Sequence, residues 1–436
     1  MSNFFRPSIA KKFYIEKVID TSTIKISLQK ALEKNSIVSI NNARLIHFNN
    51  QSYYQIKKID ESILYLSTND GSIVNQLDKK YAEYLARYFL NDYQSPINSI
   101  ELITEYTTFY KPINRLLPVY KVSFNNNDNT DIYVDTRASR LGTFNNQYRK
   151  AHIWIFHTFH NWGIIPNNFL KSLLVSLFSL LALLTAVAGV WIYGLGFKNF
   201  KQQKIRNEHL KKRKSHRAYG IIFSIFCLMF AFSGFYHATK KFTPDNRHLV
   251  IDKQIINTKD LRGDLSALVN LNKAYNFSLQ KINNIPYYRI NSKKGKHSIS
   301  KHYNTNNSKP LLEGDKLYCK ELASKYSGLG TKKIQKISIV KKFKGEYGFV
   351  NKLLPVYKID FNTSNHLSYY IEPKTGKLAS KVTDSDRLEG FSFAFLHKFH
   401  FLDALGRTPR DIIAIMAALS MLLVAFKGWK LRRRKR

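Results

Sequence analysis

The chain has 436 residues, a formal net charge of +39 at pH 7 and 44% hydrophobic residues. Its two cysteines, Cys227 and Cys319, form no Cys-x-x-Cys motif, which excludes a disulfide scaffold or a cysteine zinc site. The basic residues cluster beside apolar segments and no nucleic-acid recognition motif is present, so we expect no nucleic-acid partner.

Two distant segments, 113–125 and 350–362, have nearly the same sequence around a shared Leu-Leu-Pro-Val-Tyr-Lys motif, with nine of thirteen positions identical. The same offset in numbering aligns Tyr81 with Tyr318 and Leu85 with Leu322. This constant spacing indicates an internal duplication of whole domains.

Each repeated domain has the sequence pattern of a mixed fold. In the first domain, alternating apolar residues predict strands over 52–59, 62–67, 117–124 and 131–135, and helical patterns occur over 79–90 and 99–110. The second domain repeats the strands over 286–290, 354–361 and 367–372. We therefore predict α+β domains built from antiparallel hairpins and packed helices.

Three apolar runs predict membrane spans. The uncharged runs Ser172 to Phe197 and Ala218 to Ala238 are both long enough for a hydrocarbon core, which needs about 20 helical residues. The third run, Ile412 to Phe426, is shorter than this length. Its place after the second domain and the flanking Lys427 and Trp429 favour a span over a buried core helix.

The charges beside these runs predict the orientation. The loop 198–217 has nine Lys or Arg residues and one acidic residue, Glu208, and the tail after Phe426 is also strongly basic. Short basic flanks stay in the cytoplasm, so both large domains are expected on the outer side.

The predicted organisation, in chain order, is an outer domain (1–151), a His-x-Phe-His segment with the first span (152–197), a basic cytoplasmic loop (198–217), the second span (218–239), a second outer domain (240–396), a His-x-Phe-His segment with the third span (397–429) and a basic cytoplasmic tail (430–436). Subtracting the offset of the repeat from the second span gives positions before residue 1. We therefore expect a parent with four spans, whose N-terminal span is missing from this sequence.

Several motifs occur together in this order: Leu-Leu-Pro-Val-Tyr-Lys, the turn Lys374-Thr-Gly-Lys377, the clusters His157 to His160 and His397 to His400, and a span beginning Ser215-His-Arg-Ala-Tyr-Gly220. The combination resembles the PepSY-associated transmembrane proteins over nearly the whole chain. The resemblance implies a multi-pass α-helical membrane protein with two duplicated α+β, PepSY-like outer domains. One departure is Ser139, which stands where the second domain has the turn glycine.

Seven of the 13 histidines lie near a predicted membrane boundary: His152, His157, His160, His216, His237, His397 and His400. On a helix, the spacing of His216 and His237 corresponds to about 60° around the axis and about 31 Å along it, so one helix face presents an imidazole near each side of the membrane. Ionisable groups at such places are often functional. We interpret five other histidines as surface residues: His47, His248, His297, His302 and His366.

The residues alone leave three readings of the membrane histidines open: polar groups that cap helix ends, ligands of haem iron, or a non-haem metal site made by the two His-x-x-His pairs. The resemblance implies b-type haem. Its iron would be held through His160, His237 and His400, with His216, His157 and His397 as further cofactor-binding residues. In a parent with four spans, the missing span would carry the counterpart of His216. Without that counterpart, we expect a haem on the inner side of the membrane to be held poorly and a haem on the outer side at most partly.

No dinucleotide-binding glycine motif is present, so electrons would come from a partner reductase or a membrane quinol. The resemblance implies a protein of the bacterial inner membrane that reduces ferric siderophores or other ferric chelates on the periplasmic side. Aromatic residues of the outer domains, such as Tyr110 and Tyr347, are expected in the sheet cores more often than at a chelate. The alternative is a non-enzymatic, membrane-anchored PepSY module that binds or regulates a peptidase or peptide.

Overall fold

The computed structural model describes residues 9–202, 207–242, 250, 252–294, 297–348 and 351–432. They form two compact units: a globular unit drawn from 2–155 and 246–382, and a membrane unit drawn from 156–245 and 383–436. Residues 1–8, His248, Val350 and the end of the basic tail, 433–436, lie outside the described residues.

The first half of the globular unit is mainly antiparallel sheet. Its strands are β1 Ser39–Ile40, β2 Asn42–Phe48, β3 Gln51–Lys57, β4 Ile63–Ser67, β5 Ile97–Ile103, β6 Val119–Phe124, β7 Asp131–Asp135 and β8 Arg140–Asn145. They form a three-stranded sheet, β2-β3-β4, and a four-stranded sheet, β5-β6-β7-β8. Its helices are α1 Leu28–Lys34, α2 Leu77–Leu90 and α3 Gln147–Ile155.

Helix α2 confirms the prediction for 79–90, because Tyr81, Leu85 and Phe89 repeat at every fourth position and bury one face in the core. The predicted helix over 99–110 is wrong. Its first part belongs to β5, which pairs with β6 through Ile100 opposite Val122. Isoleucines suit this paired strand, so pairing with a neighbour overrides the local helical pattern.

Two helices long enough to cross a membrane follow the first half. They are α4 Asn168–Leu195 and α6 Glu208–Thr239, separated by the short α5 Phe197–Gln202. Helix α6 begins well before the apolar run Ala218 to Ala238, because the basic loop continues into the same helix.

The second half of the globular unit repeats the plan of the first. Its strands are β9 Ile256–Asn257, β10 Asn276–Ile282, β11 Ile285–Lys294, β12 His297–Asn304, β13 Pro310–Leu311, β14 Ile334–Val340, β15 Val356–Phe361, β16 Ser368–Ile371 and β17 Leu378–Val382. They form the antiparallel sheets β10-β11-β12-β13 and β14-β15-β16-β17, while β9 pairs with β1 of the first half. Its helices are α7 Leu265–Leu271 and α8 Gly314–Ser327.

The constant offset of the sequence repeat extends to the backbone. Helices α7 and α8 begin at this offset from α1 and α2, and β14 and β15 begin at the same offset from β5 and β6. The left-handed residue that precedes α2, Gln76 at φ 58°, is matched by Glu313 at φ 51° before α8. The two halves therefore share these helix ends and the order of strands in their second sheets, β5-β6-β7-β8 and β14-β15-β16-β17.

The chain ends in the membrane unit with α9 Asp384–Ser392 and α10 Arg407–Arg432. Helix α9 groups with the membrane helices, and the second segment of the globular unit runs to residue 382. Within the described residues, three helical segments are long and apolar enough to cross a membrane: Asn168–Leu195, Glu208–Phe242 and Arg407–Leu431. The third confirms that the short apolar run belongs to a longer helix.

One histidine that we interpreted as a surface residue, His302, is buried at 2% exposure in the second half. Its Nε2 lies 2.7 Å from Gln280 Oε1 and 3.4 Å from Asp315 Oδ1. Asp315 also accepts two hydrogen bonds from the buried Arg289, at 2.6 and 2.9 Å. The histidine is therefore part of a buried polar network, which satisfies its ring nitrogen.

We expect Asp315→Asn to lower the free energy of unfolding by about 3–5 kcal/mol, because it leaves the Arg289 guanidinium buried without a counter-charge. Burial raises the pKa of Asp315, but the nearby Arg289 and His302 outweigh burial and hold the pKa well below its usual range. The stabilisation is thus present above the ordinary carboxyl pKa of about 3.9 and is lost as the pH falls below it.

Denaturant unfolding of the purified chain in detergent measures this loss. The matched control is Glu313→Gln, since Glu313 precedes the same helix, is 64% exposed and pairs with the exposed Lys316. The control should change the unfolding free energy by less than about 0.5 kcal/mol. Equal losses in the two variants would contradict the importance of the buried pair.

Candidate functional site

The candidate site lies at the end of the membrane unit where α6 ends and the segment between α9 and α10 packs against it. Helix α6 is the central helix, since it contacts both α4 and α10. Two wide helical turns carry three of the four clustered histidines: Phe156–His160 before α4 holds His157 and His160, and Phe393–His397 after α9 holds His397. We call this the histidine end.

His160 and His397 come together at the histidine end, although they are far apart in sequence. Their ring centroids are 6.2 Å apart and the ring planes are inclined by 59°. Ser233 of α6 lies 3.2 Å from His397 Nδ1 through its Oγ, and Phe230 of the same helix meets the His397 ring edge-on at 5.2 Å. Three separate parts of the chain therefore fix the position of one imidazole.

His237, in the last turn of α6, joins the same cluster through an aromatic stack. The Phe393 ring lies between the two imidazoles, 4.4 Å from His237 and 4.9 Å from His397, with both pairs nearly parallel. His237 Nδ1 is 2.5 Å from Glu389 Oε1 in α9. The carboxylate holds the ring through Nδ1, so Nε2 is the nitrogen left to bind a metal.

The other histidines of the two clusters have different surroundings. His400 Nδ1 lies 3.0 Å from Asp403 Oδ2, and its side chain is 40% exposed. Phe399, between the two histidines of the second cluster, has φ of 54° and is fully buried. This left-handed residue interrupts the helix, so His397 rather than His400 lies beside His160. The ring of His157 packs closely against Gly163. A Cβ on Gly163 would collide with His157 Nε2.

His216 lies near the opposite end of α6, beside α10. Its Nδ1 is buried and has no hydrogen-bond partner among the described residues, and a Cβ on Gly428 would lie 3.1 Å from its Cε1. Lys427 Nζ donates to Ser215 Oγ at 3.0 Å and reinforces this crossing of α6 and α10. An unpartnered buried ring nitrogen is energetically costly. His152 lies in α3 of the globular unit.

The chemistry of the histidine end is that of neutral imidazole. Burial lowers the pKa of His397 to about 4, and the neighbouring His160 and His237 add to this effect. Burial also lowers the pKa of His160, with Lys241 contributing. Neutral imidazole is the form that ligates metals. No group of three or more His, Cys, Asp or Glu side chains in the described residues has the arrangement of a metal-ion site made by protein ligands alone.

Sequence reasoning missed Ser233, Phe393 and Glu389, the side chains that orient the histidines. Glu389 carried the clearest available signal, because it is an acidic residue just before the aromatic stretch that leads to His397. Ser233 had no distinguishing signal, because a serine inside a span often donates to a carbonyl oxygen of its own helix. Ser233 does this too, since its hydroxyl donates to the Met229 carbonyl oxygen.

Three long apolar helices and an α+β globular unit define the class: a multi-pass membrane protein. The family model described as the PepSY-associated TM region matches residues 79–287. This confirms the resemblance to the PepSY-associated transmembrane proteins over the matched segment. No curated protein and no solved structure matches the chain.

We expect Gly428→Leu to lower the melting temperature of the purified protein in detergent, because the added side chain collides with the His216 ring and separates α6 from α10. Gly220→Leu is the matched control, since none of the described atoms lies within 4 Å of a Cβ at Gly220, on the same helix as His216. Thermal unfolding followed by size-exclusion chromatography compares the two. A similar decrease in both variants would show that the two helices do not depend on this contact.

Proposed function

We propose that the membrane unit is a haem-dependent electron-transfer protein, with b-type haem held at the histidine end by His160 and His397. The observation that carries the proposal is the 6.2 Å between the two ring centroids. Metal–nitrogen bonds of about 2 Å on either side of one ion would separate two imidazole centroids by about 6 Å. The two rings are thus already at a distance compatible with sharing an iron.

The hydrogen bonds to Nδ1 support the same proposal. Ser233 lies at Nδ1 of His397 and Glu389 at Nδ1 of His237, and both directions leave Nε2 for a metal. Outer partners of this kind set the tautomer and the orientation of ligand histidines. His237 is therefore the third candidate ligand. His400 and His157 are alternatives at the same end, and His216 is the candidate at the other end of α6.

A haem held by two imidazoles at this place would supply one-electron transfer. The lowered pKa values of His160 and His397 favour the neutral form of both imidazoles. The chain itself contains no nicotinamide or flavin motif. Its electron donor would be a partner reductase or a membrane quinol, and its substrate a ferric siderophore or other ferric chelate.

The proposed location is the bacterial inner membrane, with the globular unit in the periplasm and the C-terminus in the cytoplasm. The strong positive charge of the segments 198–217 and 427–436 supports this orientation. Iron acquisition is the process that this arrangement would serve, because the ferric chelate would be reduced before iron is carried further inward.

We also infer that the two halves of the globular unit arose by duplication. The match of α1 with α7, α2 with α8 and β5 with β14 at one constant offset in numbering supports this origin, together with the repeated Leu-Leu-Pro-Val-Tyr-Lys motif. Differences between equivalent positions then mark where the two halves have acquired separate roles.

A second candidate function is a membrane-anchored PepSY module that binds or regulates a peptidase or peptide. It is favoured by the protein partners that the histidines already have: Glu389 for His237, Ser233 for His397 and Asp403 for His400. In this case the histidines only stabilise the ends of the spans.

A reduced-minus-oxidised absorption spectrum of the purified full chain distinguishes the two functions. We expect a b-type haem spectrum for the parent protein. His160→Ala and His397→Ala should each lose most of the bound haem, because each removes one of the two imidazoles proposed to hold it. The spectrum of each variant is compared at equal protein concentration.

His209→Ala is the control, since His209 is an exposed histidine at the start of α6 and should leave the haem content unchanged. A colourless parent protein that folds normally would contradict the electron-transfer function and favour the anchored module. Full haem content in both His160→Ala and His397→Ala would show that other histidines hold the iron.

A further inference from the structure

A positively charged cavity lies between the two halves of the globular unit. It has a volume of about 100 Å³, well above the roughly 10–15 Å³ that one water molecule needs. Both halves line it, through the turns that join β7 to β8 and β16 to β17. The described residues that line it include six basic and two acidic side chains: Arg44, Lys57, Arg137, Arg140, Lys374 and Lys377, with Asp135 and Glu372.

Part of this charge is neutralised inside the protein. Arg140 pairs with Glu372 across the two halves, and Lys57 lies 2.8 Å from Glu61. Arg137 lies 3.6 Å from the same Glu61 carboxylate and donates to its main-chain carbonyl oxygen at 2.8 Å. Among the described residues, three cations without a hydrogen-bonded carboxylate remain around the cavity: Arg44, Lys374 and Lys377.

Arg44 is the central one of these three. Its side chain is 8% exposed, its Nε donates to Gln55 at 2.6 Å, and its Nη2 donates to the Thr136 carbonyl oxygen and the Ser139 hydroxyl at 2.8 Å each. The remaining nitrogen, Nη1, is buried and makes no hydrogen bond within the described part of the chain. The nearest carboxylate there, Glu16, is 3.7 Å from Nη1, too long for a hydrogen bond.

The two lysines complete the arrangement. Lys374 Nζ lies 3.8 Å from the same Glu16 oxygen, and Lys377 Nζ donates to the Arg115 carbonyl oxygen at 3.0 Å. Burial lowers the pKa of both lysines. Cations held in a buried cavity in this way are stabilised by an anion that accepts their hydrogen bonds.

We propose that this cavity binds a small oxyanion, a carboxylate or a phosphate, through Arg44 Nη1 and the ammonium groups of Lys374 and Lys377. The planar guanidinium and the two point charges match the several acceptor oxygens of such an anion. The site belongs to the globular unit and is independent of the proposed electron transfer, since no membrane histidine takes part.

The serine in the turn of the first half positions Arg44 at the cavity. Ser139 and Gly376 occupy equivalent positions and both have left-handed backbones, with φ of 53° and 69°. The Ser139 hydroxyl accepts a hydrogen bond from Arg44, whereas Gly376 has no side chain to do so. The departure from the turn glycine thus holds the guanidinium at the cavity.

Isothermal titration calorimetry of the full chain in detergent tests the proposal with two probes, inorganic phosphate and citrate, against chloride at equal ionic strength. We expect one binding site per chain for at least one probe, and at least a tenfold weaker affinity in Lys374→Ala. The Lys374 ammonium has no hydrogen-bond partner among the described residues, so this variant should keep the parent melting temperature.

The control is Lys316→Ala, a lysine that is 41% exposed on α8 and outside the cavity, which should bind as the parent does. Arg44→Lys, which keeps a charge but lacks the Nη1 donor, should also bind more weakly, and its melting temperature is measured alongside. Binding of citrate alone assigns the site to carboxylates, and binding of phosphate alone to phosphates. No binding above chloride, or equal affinities in Lys374→Ala and Lys316→Ala, would overturn the proposal.

Discussion

The two halves of the globular unit share two hydrophobic clusters, and this shared burial is the constraint on which the rest of that unit depends. On one side, α1 and the β2-β3-β4 sheet form one cluster with α7 and the strands β10 to β12, with Tyr54 and Tyr288 inside it. On the other side, Tyr110 of the first half and Tyr347 of the second lie in one cluster. These tyrosines are core residues, as expected from the sequence, and neither half covers its apolar surface without the other.

The contacts between the halves are reciprocal, which brings equivalent turns together. Arg115 donates to Asn351 at 2.5 Å, and the equivalent Lys352 donates to Asn114 at 2.8 Å. Because equivalent positions meet in this way, a difference between the two copies acts at a shared site. At Gly376 a Cβ would lie 2.5 Å from the Tyr318 hydroxyl, whereas in the first half the Tyr81 hydroxyl is hydrogen-bonded to Ser139 at 2.7 Å. The serine at this turn of the first half therefore gives Arg44 a hydrogen-bond partner that the glycine of the second half does not offer.

The membrane unit follows a different physical rule. Its three helices are apolar enough to lie in lipid, so its polar groups are concentrated at the helix ends. There, each ring is positioned by a residue from another element: His397 by Ser233 of α6, and His237 by Glu389 of α9. The geometry of the histidine end thus depends on helix packing. A substitution where two helices cross would move the imidazole rings even though the histidines themselves are unchanged.

The sequence alone determined the three spans, the repeated α+β halves, helix α2 and the histidines near the membrane boundaries, because apolar length, helical periodicity and repetition are local properties of the chain. Tertiary structure decided the rest. The pairing of β5 with β6 replaced an expected helix, and the network around Arg289 buried His302, which has no local signal for burial. Sequence could not predict that His397 lies beside His160, since this depends on the left-handed Phe399 that packs against α6. Contacts between distant segments set these features, and no local pattern encodes them.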